Sequence, residues 1–353
     1  MTTTTAPFVS AFGELAREVK AAVESKLEAV ASEKNAWALG IGPDVAAVTS
    51  ALFDVATRGG KRVRPALLAA ASVACGGSKT DDAIVEAGVA LEILHAYLLA
   101  HDDWMDDDEV RRGGPSTHAA LRARFDSRQM GDACAILAGD FGQAFAFEAL
   151  ATLPAPADRK LAAMDEVSRM LGDVVAGQVL DVVGAARSRD AVETMHRLKT
   201  SSYTTCSPLV LGAILAGAPV ETREALRGAG DPLGVAFQLS DDWLGTFGDP
   251  EKTGKSVRSD LRRGKRTALV AELEEDRASR QLMPRVLGVE DAPDEEVDAL
   301  VRRMVESGAK ARVEARIATL LEETRERLAK IDLRGEGRDL LLGAVDMLGA
   351  RQA

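Results

Sequence analysis

Apolar residues recur at helical spacing from the first segment of the chain onward. Phe8, Phe12, Leu15, Val19, Val23, Leu27 and Val30 fall every three or four positions, which lines them along one face of an α-helix. No stretch shows the sustained period-two alternation that a half-buried strand requires. Composition agrees: aromatics are only 4% of the chain while Ala and Leu dominate, and these two are strong helix formers where β-branched and aromatic residues favour strands. Turn residues at Gly40 to Pro43, Gly59-Gly60, Gly76-Gly77, Gly113-Gly114-Pro115, Pro154 to Pro156, Gly217 to Pro219 and Gly248 to Pro250 cut the pattern into segments. The first helix is expected to fade near Glu33. The stretch from Glu272 to Asp298, with Pro284 and Pro293, reads as a surface region, and residues 294–350 as amphipathic helices. The expected architecture is all-α, one domain over residues 1–353, with residues 1–7 a disordered polar lead.

Charge and cysteine content narrow the class of function. With 44 basic and 55 acidic residues the net charge is −11, the wrong sign for a general nucleic-acid binder. Cys75, Cys134 and Cys206 are widely separated and show no CxxC spacing, which argues for a reducing compartment and against a disulfide framework or zinc site. The N-terminus lacks a basic segment followed by an apolar run. No uninterrupted apolar stretch approaches the roughly 20 residues of a membrane span. A soluble, cytoplasmic protein without stable membrane insertion is expected.

The strongest local signal is LEILHAYLLAHDDWMDDDEVRRGGPSTH. Asp102 and Asp106 are four apart, so on a helix their carboxylates share a face, and Asp103 and Asp107 repeat the relation on the next strip. Like charges at this spacing destabilise a helix unless something neutralises them, and acids near a helix C-terminus oppose its dipole. The upstream run Leu91 to Ala100 is almost wholly apolar, so a buried helix emerges into an acidic end. In the bland case such an end is simply solvated. Bunched carboxylates followed by Arg111 and Arg112 also suit Mg²⁺, which takes one or two carboxylates and completes its shell with water and phosphate oxygens. The arginines would hold the phosphate.

A second acidic end occurs in VAFQLSDDWLGTFGDPEKTGKSVRSDLRRGKRT. Asp241 and Asp242 terminate an apolar stretch, but the position four beyond Asp241 is Gly245. Lys255, Asp260 and Lys265 follow. Gly59-Gly60-Lys61-Arg62-Val63-Arg64-Pro65 offers a turn that could present basic side chains at a helix start, with Pro65 at the first helical position. Gln178 with Asp181, and Lys199-Thr200, are isolated polar groups in apolar surroundings. Their ordinary roles would be an interhelical hydrogen bond and surface exposure. His95 on its apolar helix would ordinarily be a satisfied core histidine.

GGKRVRP, EILHAYLLAHDDWMDDDEVRRGGPSTH, LAGDF, AGQVLD, KT and FQLSDDWLGTFGDPEKTGK occur in the order found in the trans-type polyprenyl (isoprenyl diphosphate) synthases, which the chain resembles from about residue 50 to 270. The resemblance implies the isoprenoid-synthase fold, a helical bundle around a deep central cavity, usually as a homodimer. It implies joining isopentenyl diphosphate head-to-tail to an allylic diphosphate by metal-assisted ionisation, condensation and proton loss. By matching position, Asp102 and Asp106 would bind two Mg²⁺ with Asp103 in support, and Asp241 a third. Arg111, Lys199 and Lys255 would hold the allylic diphosphate with Lys265 nearby. Lys61, Arg64, His95 and Arg112 would hold isopentenyl diphosphate. Gln178 and Gln238 would line the allylic side, and Thr200 would lie near the developing cation. Gly245 departs from the usual third aspartate, whose carboxylate would have held a metal-bound water or a basic side chain.

Tyr97 lies five residues before Asp102, roughly 7.5 Å along a helix, and a ring there would floor the apolar cavity, with Leu98 less obstructive; its bland role is an ordinary core aromatic. Within the resemblance, an aromatic here and an uninterrupted DDxxD point to geranylgeranyl diphosphate, with farnesyl diphosphate second. A class I terpene cyclase would not need GGKRVRP, His95 and Arg112. A non-catalytic partner subunit would be expected to lose aspartates or arginines that this chain keeps.

Overall fold

In the computed structural model, residues 7–248, 258–274 and 276–349 are described. The described chain is helical apart from one two-residue ribbon. It divides into two compact units, the first made of Met1–Val167, Pro208–Pro219 and Leu333–Leu341, the second of Ser168–Ser207, Val220–Asp332 and Leu342–Ala353.

The first unit is built on α1 (Pro7–Ile41), α2 (Pro43–Thr57), α3 (Val63–Ala74), α4 (Asp82–Met105), α5 (Thr117–Phe125) and α6 (Arg128–Ala151). The stripe that announced α1 is its buried face: Phe12, Leu15, Val19, Val23 and Leu27 are all buried, against α2, α3 and α4. The helix runs past Glu33 to Ile41 because its last turns have partners. Trp37 meets Phe141 and Phe145 of α6 edge-on, and Lys34 donates to Glu148 at 2.8 Å. Pro7 opens the helix, so only residues 1–6 of the expected lead remain, and they lie outside the described residues. Asp81 caps α4 by accepting from the Ile84 N–H at 2.9 Å. Both α4 and α6 are long and apolar enough to cross a membrane by length and composition; in α4 two-thirds of that apolar window is buried inside the protein.

Between α4 and α5, Val110–Arg111 and Gly114–Pro115 pair antiparallel. Arg112 (φ 53°) and Gly113 (φ 74°) form the turn, both in the left-handed region that a tight two-residue hairpin demands.

The second unit contains α8 (Arg189–His196), a π-helix (Arg197–Cys206), α10 (Val220–Phe247), α12 (Ala268–Leu273), α13 (Ser279–Val286), α14 (Asp294–Glu306) and α15 (Ala309–Ala329). The short α11 spans Ser259–Arg262. The helices α7 (Ala157–Val182) and α16 (Gly335–Gly349) contribute to both units, and α9 (Ser207–Ala216) lies almost wholly in the first. In the second unit α10 packs against α15 and the π-helix. The expectation of a surface region from Glu272 to Asp298 is corrected in its first part. All of α12 is buried, and Glu272 is buried between Arg189 and Arg312. Two arginines let this carboxylate leave water, a pairing invisible in a local charge pattern.

Candidate active site

In the first unit the acidic helix ends earlier than its charge pattern suggested. Met105 is the last residue of α4, and Asp106 caps it with its N–H on the Asp102 carbonyl at 2.9 Å. Asp102 and Asp106 therefore keep the one-turn relation, both partly exposed. Asp107 does not extend a second strip: it sits at φ 52° and its carboxylate accepts from Arg122 at 2.7 Å, with His118 and Arg128 beside it. Asp103 is fully buried and accepts hydrogen bonds from both Nε and Nη2 of Arg111. Burial pushes its carboxyl up, while Arg111 opposes the shift. Asp103 thus holds the Arg111 guanidinium in place.

The GGKRVRP segment folds more tightly than a simple basic turn. Gly59 (φ 56°), Gly60 (φ 119°) and Arg62 (φ 47°) are all left-handed, and α3 starts at Val63, so Pro65 is its third residue. Lys61 is exposed and Arg64 half-buried. Arg62 is turned inward, pairing with buried Glu92 of α4 and Glu24 of α1 and donating to the Ala56 carbonyl at 2.9 Å. Arg112 donates to the carbonyls of Val55 (3.0 Å) and Gly59 (3.2 Å). Arg58 donates to the carbonyls of Arg111 and Pro115. The hairpin and the Gly-Gly turn are therefore one tied object. His95 takes its place in this group. Burial first, then the positive charges of Arg64, Arg112, Arg111 and Arg62, hold its imidazole neutral, far below the ordinary histidine range. The structure brings together His95, Arg64, Arg111 and Arg112, an arrangement suited to a polyanion.

Tyr97 is buried and meets His101 edge-on at 5.0 Å, while Leu98 is partly exposed. Two glycines of α6 make room beside them: a Cβ on Gly142 would lie 2.9 Å from the Tyr97 Cβ, and one on Gly139 would overlap the His101 ring. Gly139 belongs to LAGDF, so part of that motif has a packing reason. The spacing alone gave no sign of it.

In the second unit the polar residues are linked. The π-helix, rare at ten residues, carries Lys199 and Thr200. Its hydroxyls bond the turns around it: Ser202 Oγ donates to the Leu198 carbonyl at 2.6 Å and Ser201 Oγ to the Asp231 carbonyl at 2.8 Å. Lys199 Nζ donates to Asp181 at 2.5 Å, so this lysine is half-buried and paired instead of lying on the surface. Gln178 is three residues before Asp181 on α7, and a Cβ on Gly177 would overlap the Lys199 backbone. Buried Thr200 donates to Gln238 Oε1 at 2.9 Å, and Gln238 Nε2 donates to Asp242 Oδ1 at 2.9 Å. His196 Nε2 is 3.5 Å from Asp242 Oδ2. Burial raises the Asp242 carboxyl to about 7 and lowers His196 to about 4. Asp241, its neighbour on α10, is exposed. Lys265 lies 4.0 Å from Asp260. Lys255 falls outside the described residues.

Sequence reading did not single out Arg58 or Glu92, and it gave Arg62 no role distinct from its basic neighbours. Glu92 in an apolar run was the available signal, since a buried carboxylate must find a cation. The donors fit magnesium: hard carboxylate oxygens, one or two per helix end. No group of three His, Cys, Asp or Glu forms a ready cage among the described residues, as suits an ion that keeps waters and phosphate oxygens.

Residues 45–304 match the polyprenyl synthetase family. The chain is 34% identical over 274 residues to a geranylgeranyl diphosphate synthase of Methanosarcina mazei, covering 76% of this chain and 79% of the relative. It is 31% identical over 320 residues to a geranylfarnesyl diphosphate synthase of Aeropyrum pernix, covering 89% and 96%. Among solved structures, a geranylgeranyl pyrophosphate synthase of Corynebacterium glutamicum, complexed with isoprenyl diphosphate and magnesium, superimposes with a TM-score of 0.87 at 30% identity, covering 96% of this chain and 98% of that one. With its all-α fold, the chain belongs to the polyprenyl synthetase family and is a prenyltransferase.

Proposed function

We propose that the protein elongates allylic diphosphates with isopentenyl diphosphate to give geranylgeranyl diphosphate, as one catalytic domain acting in a cytoplasmic homodimer. The observation that carries this reading is the first unit's pairing of a carboxylate pair, Asp102 and Asp106, with a cluster of guanidinium groups around neutral His95. A cation-binding and an anion-binding group side by side suit a metal-bridged diphosphate. Magnesium, when bound, neutralises the leaving diphosphate as charge develops on it, and up to three ions fit the carboxylates available. By motif position Asp102 and Asp106 would hold two of them and Asp241 would hold a third.

By motif position Arg111, hydrogen-bonded to Asp103, is assigned to the allylic diphosphate, as are Lys199, Lys255 and Lys265. Lys61, Arg64, Arg112 and His95 bind isopentenyl diphosphate. His95 donates a hydrogen bond without adding charge. Gln178 and Gln238 line the allylic chain, and Thr200, fixed by Gln238, lies at the electron-poor carbon. The diphosphate itself accepts the final proton, so no further base is needed. Tyr97 limits chain length, with Leu98 beside it. The relatives' names span more than one length, and the geranylgeranyl product rests on the names of the Methanosarcina and Corynebacterium proteins together with Tyr97.

The test is turnover of labelled isopentenyl diphosphate. Asp102→Ala and Arg111→Ala should each lower kcat by about a hundredfold or more, the usual effect of losing a charge-stabilising group. Near-native turnover in either variant would contradict the assignment. Turnover of farnesyl or geranylgeranyl diphosphate without isopentenyl diphosphate would instead identify a cyclase.

A further inference from the structure

The last four carbonyls of a helix lack partners within it and carry its partial negative charge. At the end of α2, three arginines collect on them. Arg58 Nε donates to the Asp54 carbonyl at 3.1 Å, Arg112 Nη1 to Val55 at 3.0 Å and Arg62 Nη2 to Ala56 at 2.9 Å. The Gly59 N–H donates to the Thr57 carbonyl at 2.7 Å. The helix end thus draws together guanidinium groups that would otherwise repel one another.

Arg62 and Arg112 belong to the motifs already described; Arg58 does not. Capping its own helix is an ordinary use of an arginine, but the rest of its guanidinium reaches away from α2. Nη1 donates to the Arg111 carbonyl at 3.0 Å and Nη2 to the Pro115 carbonyl at 2.8 Å. These carbonyls lie on opposite strands of the hairpin, so one planar fork ties both strands to the helix end. Gly114, between them, makes room for it. A Cβ there would overlap Arg58 Nη1. The Gly114 backbone is not left-handed, so the guanidinium and not the conformation is what excludes a side chain.

The two arginines of the hairpin depend on this clamp unequally. Arg111 has an anchor of its own in buried Asp103. Arg112 rests on the carbonyls of Val55 and Gly59, across the junction that Arg58 closes. We propose that Arg58 is a positioning residue for isopentenyl diphosphate. By fixing the hairpin to the end of α2, it sets the placement of Arg112 relative to Lys61 and Arg64 on the turn that follows, and it acts through Arg112 instead of on the substrate. The proposal rests on the reading of Lys61, Arg64 and Arg112 as the isopentenyl diphosphate group.

The test compares the KM values of the two substrates. Calorimetric titration of isopentenyl diphosphate gives a readout independent of turnover, and thermal melting checks folding. Arg58→Ala should raise both the KM and the Kd for isopentenyl diphosphate about tenfold, within the hundredfold that a misplacement of about 1 Å can cost. Both kcat and the KM for the allylic primer should stay within about threefold of native, the pattern of lost ground-state binding. Gly114→Ala keeps Arg58 but pushes its guanidinium off the hairpin, so it should reproduce the effect and carries the test should Arg58→Ala not fold. The double variant should be no worse than either single one, because both remove the same contact. Equal rises in the two KM values, a lowered melting temperature with native affinity for isopentenyl diphosphate, or effects that multiply in the double variant would each overturn the proposal. Arg112→Ala separates the two readings. If it weakens isopentenyl diphosphate binding while Arg58→Ala and Gly114→Ala do not, only the Arg58 role fails; if Arg112→Ala binds isopentenyl diphosphate as the native protein does, both fail.

Discussion

His95 shows how far surroundings set a residue's chemistry. Its sequence context, one imidazole in an apolar run, is that of a core histidine. Its structural context is burial, with four arginines around it, and together these keep it neutral. In the unfolded chain it takes up a proton near pH 6.5, whereas in the fold it does so only well below that. The unfolded state therefore binds more protons on acidification, and His95's contribution to stability, intact above about pH 6.5, is lost as pH falls. Melting should show the native protein losing its advantage over His95→Gln as pH drops from 7.5 toward 5.5; a constant difference would mean His95 protonates normally in the fold. Arg62 makes the opposite lesson. Adjacent to Lys61 and two residues from Arg64, it is indistinguishable from them in sequence, yet it is buried on Glu92. Arg62→Met should cost about 3–5 kcal/mol by leaving Glu92 uncompensated, and adding Glu92→Leu should recover much of it. Urea denaturation measures both; a loss below about 1 kcal/mol would show that buried Glu92 does not depend on Arg62.

Helices were largely legible, because the 3.6-residue period of buried apolar positions is written directly into α1 and the C-terminal helices, while α4 is apolar on nearly every side and buried accordingly. Their ends and registers were less so. α1 is prolonged by aromatic contacts with α6, a tertiary effect with no local signature. The π-helix has no distinct period over ten residues; its hydroxyl-rich sequence, RLKTSSYTTC, is the only local hint. Two glycines let neighbours press on it. Gly177 leaves space for the Lys199 backbone and Gly234 for Ser201. Gly177→Ala and Gly234→Ala should each destabilise the protein by about 1–3 kcal/mol through overpacking. They should also raise KM for the allylic primer more than for isopentenyl diphosphate, since Lys199 and Thr200 move. Equal effects on both KM values would show a merely structural role.

Across the whole molecule, the ordered motifs carried more information than composition did. A net charge of −11 gives no hint of an anionic substrate, because the relevant cations are few and local. Of the proposed site, the carboxylates, basic residues and Tyr97 were readable as motif positions. Arg58, Glu92 and the glycine contacts were not, since they matter through partners far away in sequence. The product is the property that the chain as a whole must decide. The most direct measurement is therefore a product assay: purified protein, magnesium and labelled isopentenyl diphosphate, with dimethylallyl, geranyl or farnesyl diphosphate as primer. The expected result is magnesium-dependent incorporation from each primer, ending at geranylgeranyl diphosphate. No incorporation with any primer would contradict the proposed function, and products only longer than geranylgeranyl would contradict the role given to Tyr97.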